Sequence, residues 1–316
     1  MHTSELGVEI NSKNSPAFVN SKKNTSKKHQ LPDWFRQDIP DSQTQAKFRS
    51  LKEQGVNTVC WEARCPNWFR CLKENTLTFM ILGNRCTRSC QFCAVEKSRG
   101  KFLPLDKEEP YRILKIIRNL RINFVIITSV TRDDLEDEGS EQFVRTIRLI
   151  RNYKKDIRIE VLIPDFSSFA LSQVVRARPD VLAHNLETVP RLYRRIRRGA
   201  QYSHSLQVLA QAKKINPLLI TKSSLLLGMG EREEEVIRVM DDLLKCNCDI
   251  LVLGQYLAPS SRHYPVVEFL SIEQFQRYKD KAFNLGFRAV LASPLARTSY
   301  QAEKIYNSVQ RIAHSV

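Results

Sequence analysis

Three cysteines within eight residues of this chain have the type and spacing for metal chemistry. Cys86, Cys90 and Cys93 follow the pattern C-x3-C-x2-C. Three thiolates on a short loop can converge on one face of a [4Fe–4S] cluster, whose usual protein ligands are cysteine thiolates. One iron is then open to a substrate or cofactor, as in catalytic metal sites. Tetrahedral zinc would need a fourth Cys or His, and no histidine lies nearby in the sequence. The spacing therefore predicts an open iron–sulfur site.

A second group of three cysteines lies upstream of the first. Cys60, Cys65 and Cys71 follow C-x4-C-x5-C, which matches no common zinc pattern. By the same ligand reasoning it predicts a second cluster, again one ligand short, and a structural, redox-inert metal is the alternative. Cys246 and Cys248 form an isolated C-x-C, for which we expect a structural role. Disulfides are not expected, because a reducing compartment keeps thiols free.

Strands and helices are predicted to alternate from residue 79 onward. The predicted strands are Phe79–Leu82, Phe124–Ser129, Arg158–Ile163, Val181–Asn185, Leu218–Leu227, Ile250–Tyr256 and Arg288–Leu291. The predicted helices are Glu141–Tyr153, Phe169–Arg176, Ser203–Ile215, Glu231–Lys245 and Ile272–Leu285. This alternation is typical of βα units and a parallel sheet. A dinucleotide-binding fold is disfavoured because no G-x-G-x-x-G follows the first strand. Chemistry at the carboxyl ends of strands suits a complete or partial barrel.

The charge of the chain is compatible with several kinds of partner. Fifty basic and 34 acidic residues give a net charge of +16, which attracts nucleic acid, an anionic membrane or an acidic protein without choosing among them. A generally basic protein without such a partner is an equally good interpretation. No apolar run reaches the about 20 residues that a membrane span needs, and residues 1–30 lack the apolar core of a secretion signal. We expect a cytoplasmic protein.

Cys86, Cys90 and Cys93 form the later of the two cysteine triads in the chain, and Cys60, Cys65 and Cys71 form the earlier one. The loop of the later triad resembles the signature of the radical S-adenosylmethionine (SAM) superfamily. Its pattern is C-x3-C-x-aromatic-C, with Phe92 as the aromatic residue. The resemblance implies that the open iron chelates the amino and carboxylate groups of SAM. An electron from the cluster then cleaves SAM to methionine and a 5′-deoxyadenosyl radical, which abstracts hydrogen from an unactivated carbon. The implied fold is α/β, a partial (β/α)6 barrel of the TIM type.

The two triads in this order resemble the lipoyl synthase family in particular. The similarity covers about residues 31–310 and continues through Phe79–Gly83, Thr128–Leu135, Glu160–Phe166, His184–Tyr193, Thr221–Glu231, Gly254–Leu257 and Arg297–Tyr300. In this family the auxiliary cluster takes its fourth ligand from the second Ser of a C-terminal R-S-S-Y motif, which is Ser299 here. The preceding Ser of the motif is Thr298 in this chain. An alkoxide is a harder donor than a thiolate, which suits a cluster that gives up sulfur. The alternative role for Ser299 is a helix N-cap before residues 301–310.

Four segments follow from these patterns. Residues 1–30 are predicted to be a disordered basic arm. Residues 31–78 are predicted to be an extension that carries the auxiliary cluster ligands, and residues 79–292 the radical SAM partial barrel. Residues 293–316 are predicted to be a short segment that supplies Ser299.

The resemblance also implies an activity and its partners. Sulfur is inserted at C6 and C8 of an octanoyl group carried on a lysine of a lipoyl carrier domain, which makes the chain a sulfurtransferase. Each insertion consumes one SAM and takes a sulfide from the auxiliary cluster, so the cofactors are two [4Fe–4S] clusters and SAM. The implied carriers are the glycine cleavage H protein or the E2 subunit of a 2-oxoacid dehydrogenase. The implied reductant is ferredoxin or flavodoxin; nucleic acid is not an implied partner.

Six further residues are candidates for binding SAM. Thr128 and Ser129 close the second barrel strand and could bind the amino-acid part of SAM, or they simply end the strand. Asn185 and Glu187 could bind the ribose hydroxyls, or form an ordinary loop pair. Two glycines could let the backbone approach the adenine or methionine part, or form a strand-to-helix turn; they are Gly228 and Gly230.

Alternatives to this function stay open at the level of residue chemistry. A methylthiotransferase that acts on tRNA would also use an auxiliary cluster and would suit the basic charge, although no RNA-binding module is evident. A non-catalytic electron-transfer or zinc-binding protein is the other alternative. Five arginines within eight residues could bind an acidic carrier protein or form a solvated helix face; they are Arg191, Arg194, Arg195, Arg197 and Arg198.

Overall fold

The structure is a computed structural model that describes residues 31–37, 39–102 and 104–313. The predicted disordered arm, residues 1–30, lies outside the described residues.

Seven parallel strands form one open sheet and follow each other in chain order. They are β1 Thr78–Ile81, β2 Phe124–Ser129, β3 Arg158–Leu162, β4 Val181–Ala183, β5 Ile220–Leu227, β6 Ile250–Gln255 and β7 Ala289–Ala292. Their side chains are buried on both faces, as parallel sheets covered by helices require. In the described ranges no pairing joins β1 to β7, so the barrel is not closed. The predicted α/β class with a partial barrel is confirmed, with one strand more than the six that the resemblance implies.

Eleven helices are present within the described residues. They are α1 Ser42–Glu53, α2 Val59–Glu62, α3 Trp68–Lys73, α4 Glu109–Leu120, α5 Ser140–Tyr153, α6 Ser168–Arg176, α7 Pro190–Ile196, α8 Tyr202–Ile215, α9 Glu233–Lys245, α10 Ile272–Leu285 and α11 Ala302–Ala313. All five predicted helices are present, and α10 has the predicted ends. Ser271 and Gln274 form a capping box that starts α10, and Gly286 ends it with a φ of +116°.

The C-terminal helix packs on the inner face of the sheet. Tyr306 of α11 lies against Phe124 of β2 with ring centroids 5.8 Å apart, in a buried apolar cluster that includes Ile126. Because side chains alternate along a strand, Ile126 and Thr128 face the same side of β2. Thr128 lines a large cavity. The helix therefore fills the lower part of the inner face and leaves the carboxyl ends of the strands to the cavity.

A fully buried ion pair lies between this helix and the cavity. Lys222 Nζ of β5 is 2.6 Å from Glu160 Oε1 of β3, and both side chains are 1% exposed. Burial raises the pKa of Glu160, against the opposing effect of Lys222. Removing either partner would leave an uncompensated buried charge, so the two residues depend on each other.

No helix in the described ranges is both long enough and apolar enough to pass through a membrane.

Candidate active site

The later cysteine triad lies on the loop that leaves the first strand. A short parallel pairing of Arg85–Cys86 with Glu96–Lys97 closes this loop. The backbone N–H groups of Arg88 and Thr131 both lie 3.4 Å from Cys86 Sγ. The loop therefore turns two main-chain donors toward this sulfur.

The three sulfurs of this loop lie close enough to influence one another. Burial raises the pKa of Cys90 to about 12, with a further rise from Cys93 and an opposing effect of Arg197. Burial likewise raises the pKa of Cys93, against the opposing effect of Lys97. A cluster that binds these thiols must displace their protons, and the two nearby cations favour the anionic product.

The earlier triad is built on two short helices. Thr58 starts α2, and its Oγ1 accepts from the N–H of Trp61 at 3.4 Å. Cys60 lies in α2, Cys65 in the loop after it, and Cys71 in α3. Burial raises the pKa of Cys60 well above its usual value, and Cys65 and Cys71 raise it further. All three cysteines also line the same cavity, as a shared cluster requires.

The C-terminal segment reaches this earlier triad through one buried amide. Asn67 is fully buried, and its Nδ2 donates to the Leu295 carbonyl at 2.6 Å. Ala296 packs so closely on β6 that a Cβ at Gly254 would lie 2.0 Å from its carbonyl oxygen. Gly254 is thus needed for this close approach. These contacts carry the segment to Ser299, 228 residues after Cys71 in the chain.

Ser299 does not cap the following helix. The helix begins at Ala302, and the residue before it is Gln301, whose φ is +54°. Ser299 instead lines the cavity. The N-cap alternative is therefore wrong, and the position is compatible with a ligand role.

One cavity of about 1020 Å³ joins these parts. Its lining includes all six cysteines of the two triads and Ser299. It also includes six arginines but only two acidic residues, Asp165 and Glu187. A cavity with this charge suits anionic groups.

The thiols of the described residues do not form a site for a single metal ion. All eight cysteines are free, and in the described part of the chain no three His, Cys, Asp or Glu side chains could hold one metal ion. A tetrahedral zinc site needs such a group. In a [4Fe–4S] cluster each thiolate binds a different iron, so its ligands stand farther apart than the ligands of one ion. The donor set therefore fits the cluster better than zinc.

An arginine beside the earlier triad also fits an anionic group. Arg297 lines the cavity, and its Nη1 donates to the carbonyls of Ala296 at 2.6 Å and Pro294 at 3.5 Å. Among the described residues it has no carboxylate within salt-bridge distance. Enclosure lowers the pKa of Arg297, against the opposing effects of Cys65 and Glu187. Enclosed cations are normally paired, and an anionic cluster on Cys65 would supply the counter-charge.

Four of the six predicted SAM contacts line the same cavity. Thr128 Oγ1 donates to the Leu162 carbonyl at 2.8 Å, whereas the buried Oγ of Ser129 has no partner within the described residues. Asn185 Nδ2 donates to Glu187 Oε1 at 2.9 Å. Ser129 is thus the residue of this group with an unused hydrogen-bonding atom.

The two glycines do not line the cavity. A Cβ at Gly228 would lie 2.3 Å from both Gln255 Nε2 and the Glu268 carbonyl oxygen, and its φ is +98°. Gly230, with a φ of +97°, lies beside Val267. The turn after β5 accounts for both glycines, and their contact with SAM stays a prediction.

A polar network beside the later triad is not among the features predicted from the sequence. Arg197 Nη2 lies 3.2 Å from both carboxylate oxygens of Asp165, and Ser205 Oγ donates to Asp165 Oδ1 at 2.9 Å. His184 Nε2 is 3.3 Å from the same oxygen. The network fixes Arg197 next to Cys90. Its signal was the position of Asp165 directly after a buried strand that ends at the site.

Comparison with known proteins identifies the class of this site. A sequence model of the Radical SAM superfamily matches residues 80–243. The fold resembles the crystal structure of methylornithine synthase, with a TM-score of 0.52 and 15% identity over 75% of this chain and 81% of that one. It also resembles Streptococcus suis SuiB bound to S-adenosylmethionine, with a TM-score of 0.54 and 11% identity over 72% of this chain and 53% of that one. The chain is a radical SAM enzyme.

Curated relatives narrow this class to one family. The chain is 47% identical to the lipoyl synthase of Caldicellulosiruptor saccharolyticus over 86% of this chain and 96% of the relative. It is 50% identical to that of Aquifex aeolicus over 80% of this chain and 91% of the relative. The chain belongs to the lipoyl synthase family. It is therefore a sulfurtransferase, with SAM and [4Fe–4S] clusters as cofactors, and the methylthiotransferase and non-catalytic alternatives are rejected.

Proposed function

We propose that this chain inserts two sulfur atoms at C6 and C8 of a protein-bound octanoyl group to form the lipoyl cofactor. Cys86, Cys90 and Cys93 hold the cluster that binds SAM. The sulfur-donating cluster is held by Cys60, Cys65, Cys71 and Ser299. The observation that carries this proposal is that both triads and Ser299 line one cavity.

The cavity wall suits a fatty acyl chain. Between the triads it is formed by large apolar side chains, among them Trp68, Met80, Phe92 and Tyr256. Such a lining binds an octanoyl chain by apolar burial and excludes water from a reactive intermediate. When bound, SAM and the two clusters would supply the radical and the sulfide. The residues of the chain hold the acyl group between them.

Buried side chains position the polar end of the site. Asp165 keeps Arg197 beside Cys90, and Lys97 lies near Cys93. These two cations oppose the rise that burial causes in the pKa of Cys90 and Cys93. Thr128, Ser129, Asn185 and Glu187 remain our candidates for SAM contacts, because all four line the cavity.

The direct test is an anaerobic assay with an octanoyl-lysyl peptide, SAM and a chemical reductant. The expected product is the lipoyl peptide, identified by mass, with 5′-deoxyadenosine as coproduct. 5′-Deoxyadenosine without any sulfur-containing peptide would reject the proposal. In the same assay Ser299→Ala should retain SAM cleavage but impair complete sulfur insertion. Ser308→Ala, on the exposed side of α11, is the matched control and should behave like wild type.

We further propose that the carrier domain binds through the arginines around α7. Arg194 and Arg195 are exposed, and Arg198 is exposed while also lining the cavity. Arg197, which is anchored on Asp165, fixes this segment at the cavity. An octanoyl-lysine that enters the cavity beside Arg198 would bring an acidic surface of its carrier onto these side chains. The same field suits an acidic reductant such as ferredoxin or flavodoxin.

Charge reversal separates binding of the carrier from chemistry. The double variant Arg194→Glu with Arg195→Glu should raise the KM for an intact octanoylated carrier on the order of tenfold, with no change for the short peptide. Arg238→Glu, on the exposed side of α9, is the control. An unchanged KM for the intact carrier would reject this surface. Because thiol ligands must stay reduced, we also propose a cytoplasmic location.

A further inference from the structure

A chain of three polar side chains joins the neighbour of Ser299 to the proposed SAM contacts. Thr298 Oγ1 lies 2.8 Å from Asn185 Nδ2 and 3.1 Å from Asn185 Oδ1. Asn185 Nδ2 also donates to Glu187 Oε1 at 2.9 Å. All three residues line the cavity, and Thr298 is only 7% exposed.

The Asn185 end of this chain is held rigidly by the sheet. The N–H of Glu187 donates to the Ser224 carbonyl at 2.9 Å, and the N–H of Leu226 donates to the Glu187 carbonyl at 2.9 Å. These two bonds tie Glu187 to β5 and hold it at a φ of +67°. Movement at this end of the chain is therefore opposed by main-chain hydrogen bonds.

The Thr298 end is held less firmly. Up to Ala296 the segment is fixed by the N–H of Gln255, which donates to the Pro294 carbonyl at 3.0 Å, and by Asn67 on Leu295. From residue 297 to 300 the backbone makes one local turn, in which the N–H of Tyr300 donates to the Arg297 carbonyl at 2.9 Å. The side chain of Thr298 is thus the tie that holds Ser299 against the sheet.

The Asn185 amide has no spare donor for a ligand. A side-chain amide carries two N–H groups, and here they reach Glu187 and Thr298. A ligand hydroxyl that needs an Asn185 N–H must compete with Thr298. Binding of such a ligand would then release Thr298, and with it the adjacent Ser299.

We propose that Thr298 is a positioning residue that couples SAM binding to the position of Ser299. This inference rests on the proposed function, in which the SAM ribose contacts Asn185 and Glu187. Each SAM that binds weakens the Asn185–Thr298 hydrogen bond and loosens the fourth ligand of the sulfur-donating cluster. By reciprocity, whatever loosens Thr298 must favour SAM to the same extent.

The test compares SAM affinity in cluster-loaded protein without reductant, so that no turnover occurs. A hydrogen bond of this kind contributes about 1 kcal/mol net, which corresponds to about fivefold in affinity. Thr298→Val, which keeps the shape and removes the hydroxyl, should therefore bind SAM about fivefold more tightly. Thr298→Ser keeps the hydroxyl and should match wild type. Thr298→Ala is the second variant if the valine protein folds poorly.

Amide hydrogen exchange of residues 297–300 supplies a readout that is independent of activity. SAM should speed this exchange in wild type and in Thr298→Ser. In Thr298→Val the exchange should already be fast and should not respond to SAM. Equal SAM affinity in wild type and Thr298→Val, or a SAM response that persists in the valine variant, would overturn the inference. If the cluster-loaded wild type fails to bind SAM, the proposed function itself fails.

Discussion

The later triad of cysteines, which we now call the barrel triad, lies on one loop after a buried strand; its members are Cys86, Cys90 and Cys93. The earlier triad, which we now call the auxiliary triad, spans two short helices and the loop between them. This auxiliary triad, Cys60, Cys65 and Cys71, shares a cavity with Ser299, and Asn67 ties the two parts of the chain together by binding the Leu295 carbonyl across 228 residues. The barrel triad is thus positioned mainly by local structure. The auxiliary site depends on contacts between the two ends of the chain.

The arginine beside each triad shows the same contrast. Arg197, near Cys90, is paired with Asp165, and the surrounding anions keep its pKa above the usual value despite burial. Arg297, near Cys65, has no carboxylate in salt-bridge distance among the described residues, and enclosure lowers its pKa. The barrel site therefore carries its own counter-charge. At the auxiliary triad the proposed cluster would supply the counter-charge.

The largest expected effect comes from removing one cysteine of either triad. Cys90→Ala should abolish SAM cleavage, because it removes a proposed ligand of the cluster that binds SAM. Cys65→Ala should retain SAM cleavage and form no lipoyl product. Iron analysis should fall from about eight to about four per chain in either variant. Loss of SAM cleavage in Cys65→Ala would contradict the separate roles of the two triads.

A smaller effect is expected from the contact that joins the two ends of the chain. Asn67→Ala removes a fully buried amide and the donor to the carbonyl of the half-buried Leu295, which should lower the free energy of unfolding by about 1–3 kcal/mol. Urea unfolding of the metal-free protein measures this change. The control is Asn284→Ala, at an exposed position of α10, which should stay within about 0.5 kcal/mol of wild type. An equally small change in Asn67→Ala would contradict the long-range origin of the auxiliary site.

The smallest expected effect is a change in acid stability on the barrel side. Burial acts to raise the pKa of Asp165, but His184, Arg197 and Ser205 outweigh it and hold the pKa well below 3.8. A depressed pKa contributes stability above the unfolded value, and that stability is lost as the pH falls below it. Unfolding of Asp165→Asn should therefore depend less on pH below about pH 4 than unfolding of wild type. Equal slopes would contradict the role of Asp165 in this network.

The sequence predicts the local parts of this molecule better than the long-range parts. The pattern of apolar residues predicts seven strands and five helices, because the side chains that these elements bury recur at regular spacing. Helix α4 was omitted although Ile113, Ile116 and Ile117 recur at helical spacing, so a usable signal was present. No local signal could show that α11 lies inside the sheet or that Asn67 contacts Leu295.

In the candidate site, too, local features are easier to predict from the sequence than long-range contacts. Spacing alone pointed to the two triads, while Ser299 came from the family resemblance. Asn185 and Glu187 were predicted as a pair, but the contact of Asn185 with Thr298 joins residues 113 positions apart. The glycine contacts with SAM stay a prediction, because a turn packed against Gln255 needs the same residue type as a close approach to a ligand. The four-part division of the chain stays a prediction.

The roles proposed for the two triads are tested most directly by measuring where the sulfur of the product comes from. The claim is that both triads serve one acyl chain in one cavity, with the auxiliary cluster as the donor. Protein whose clusters contain heavy-isotope sulfide should be mixed with octanoyl-lysyl peptide and SAM under anaerobic reduction, without free sulfide, for a single turnover. We expect a lipoyl product in which both sulfur atoms carry the label. A lipoyl product without label would contradict it.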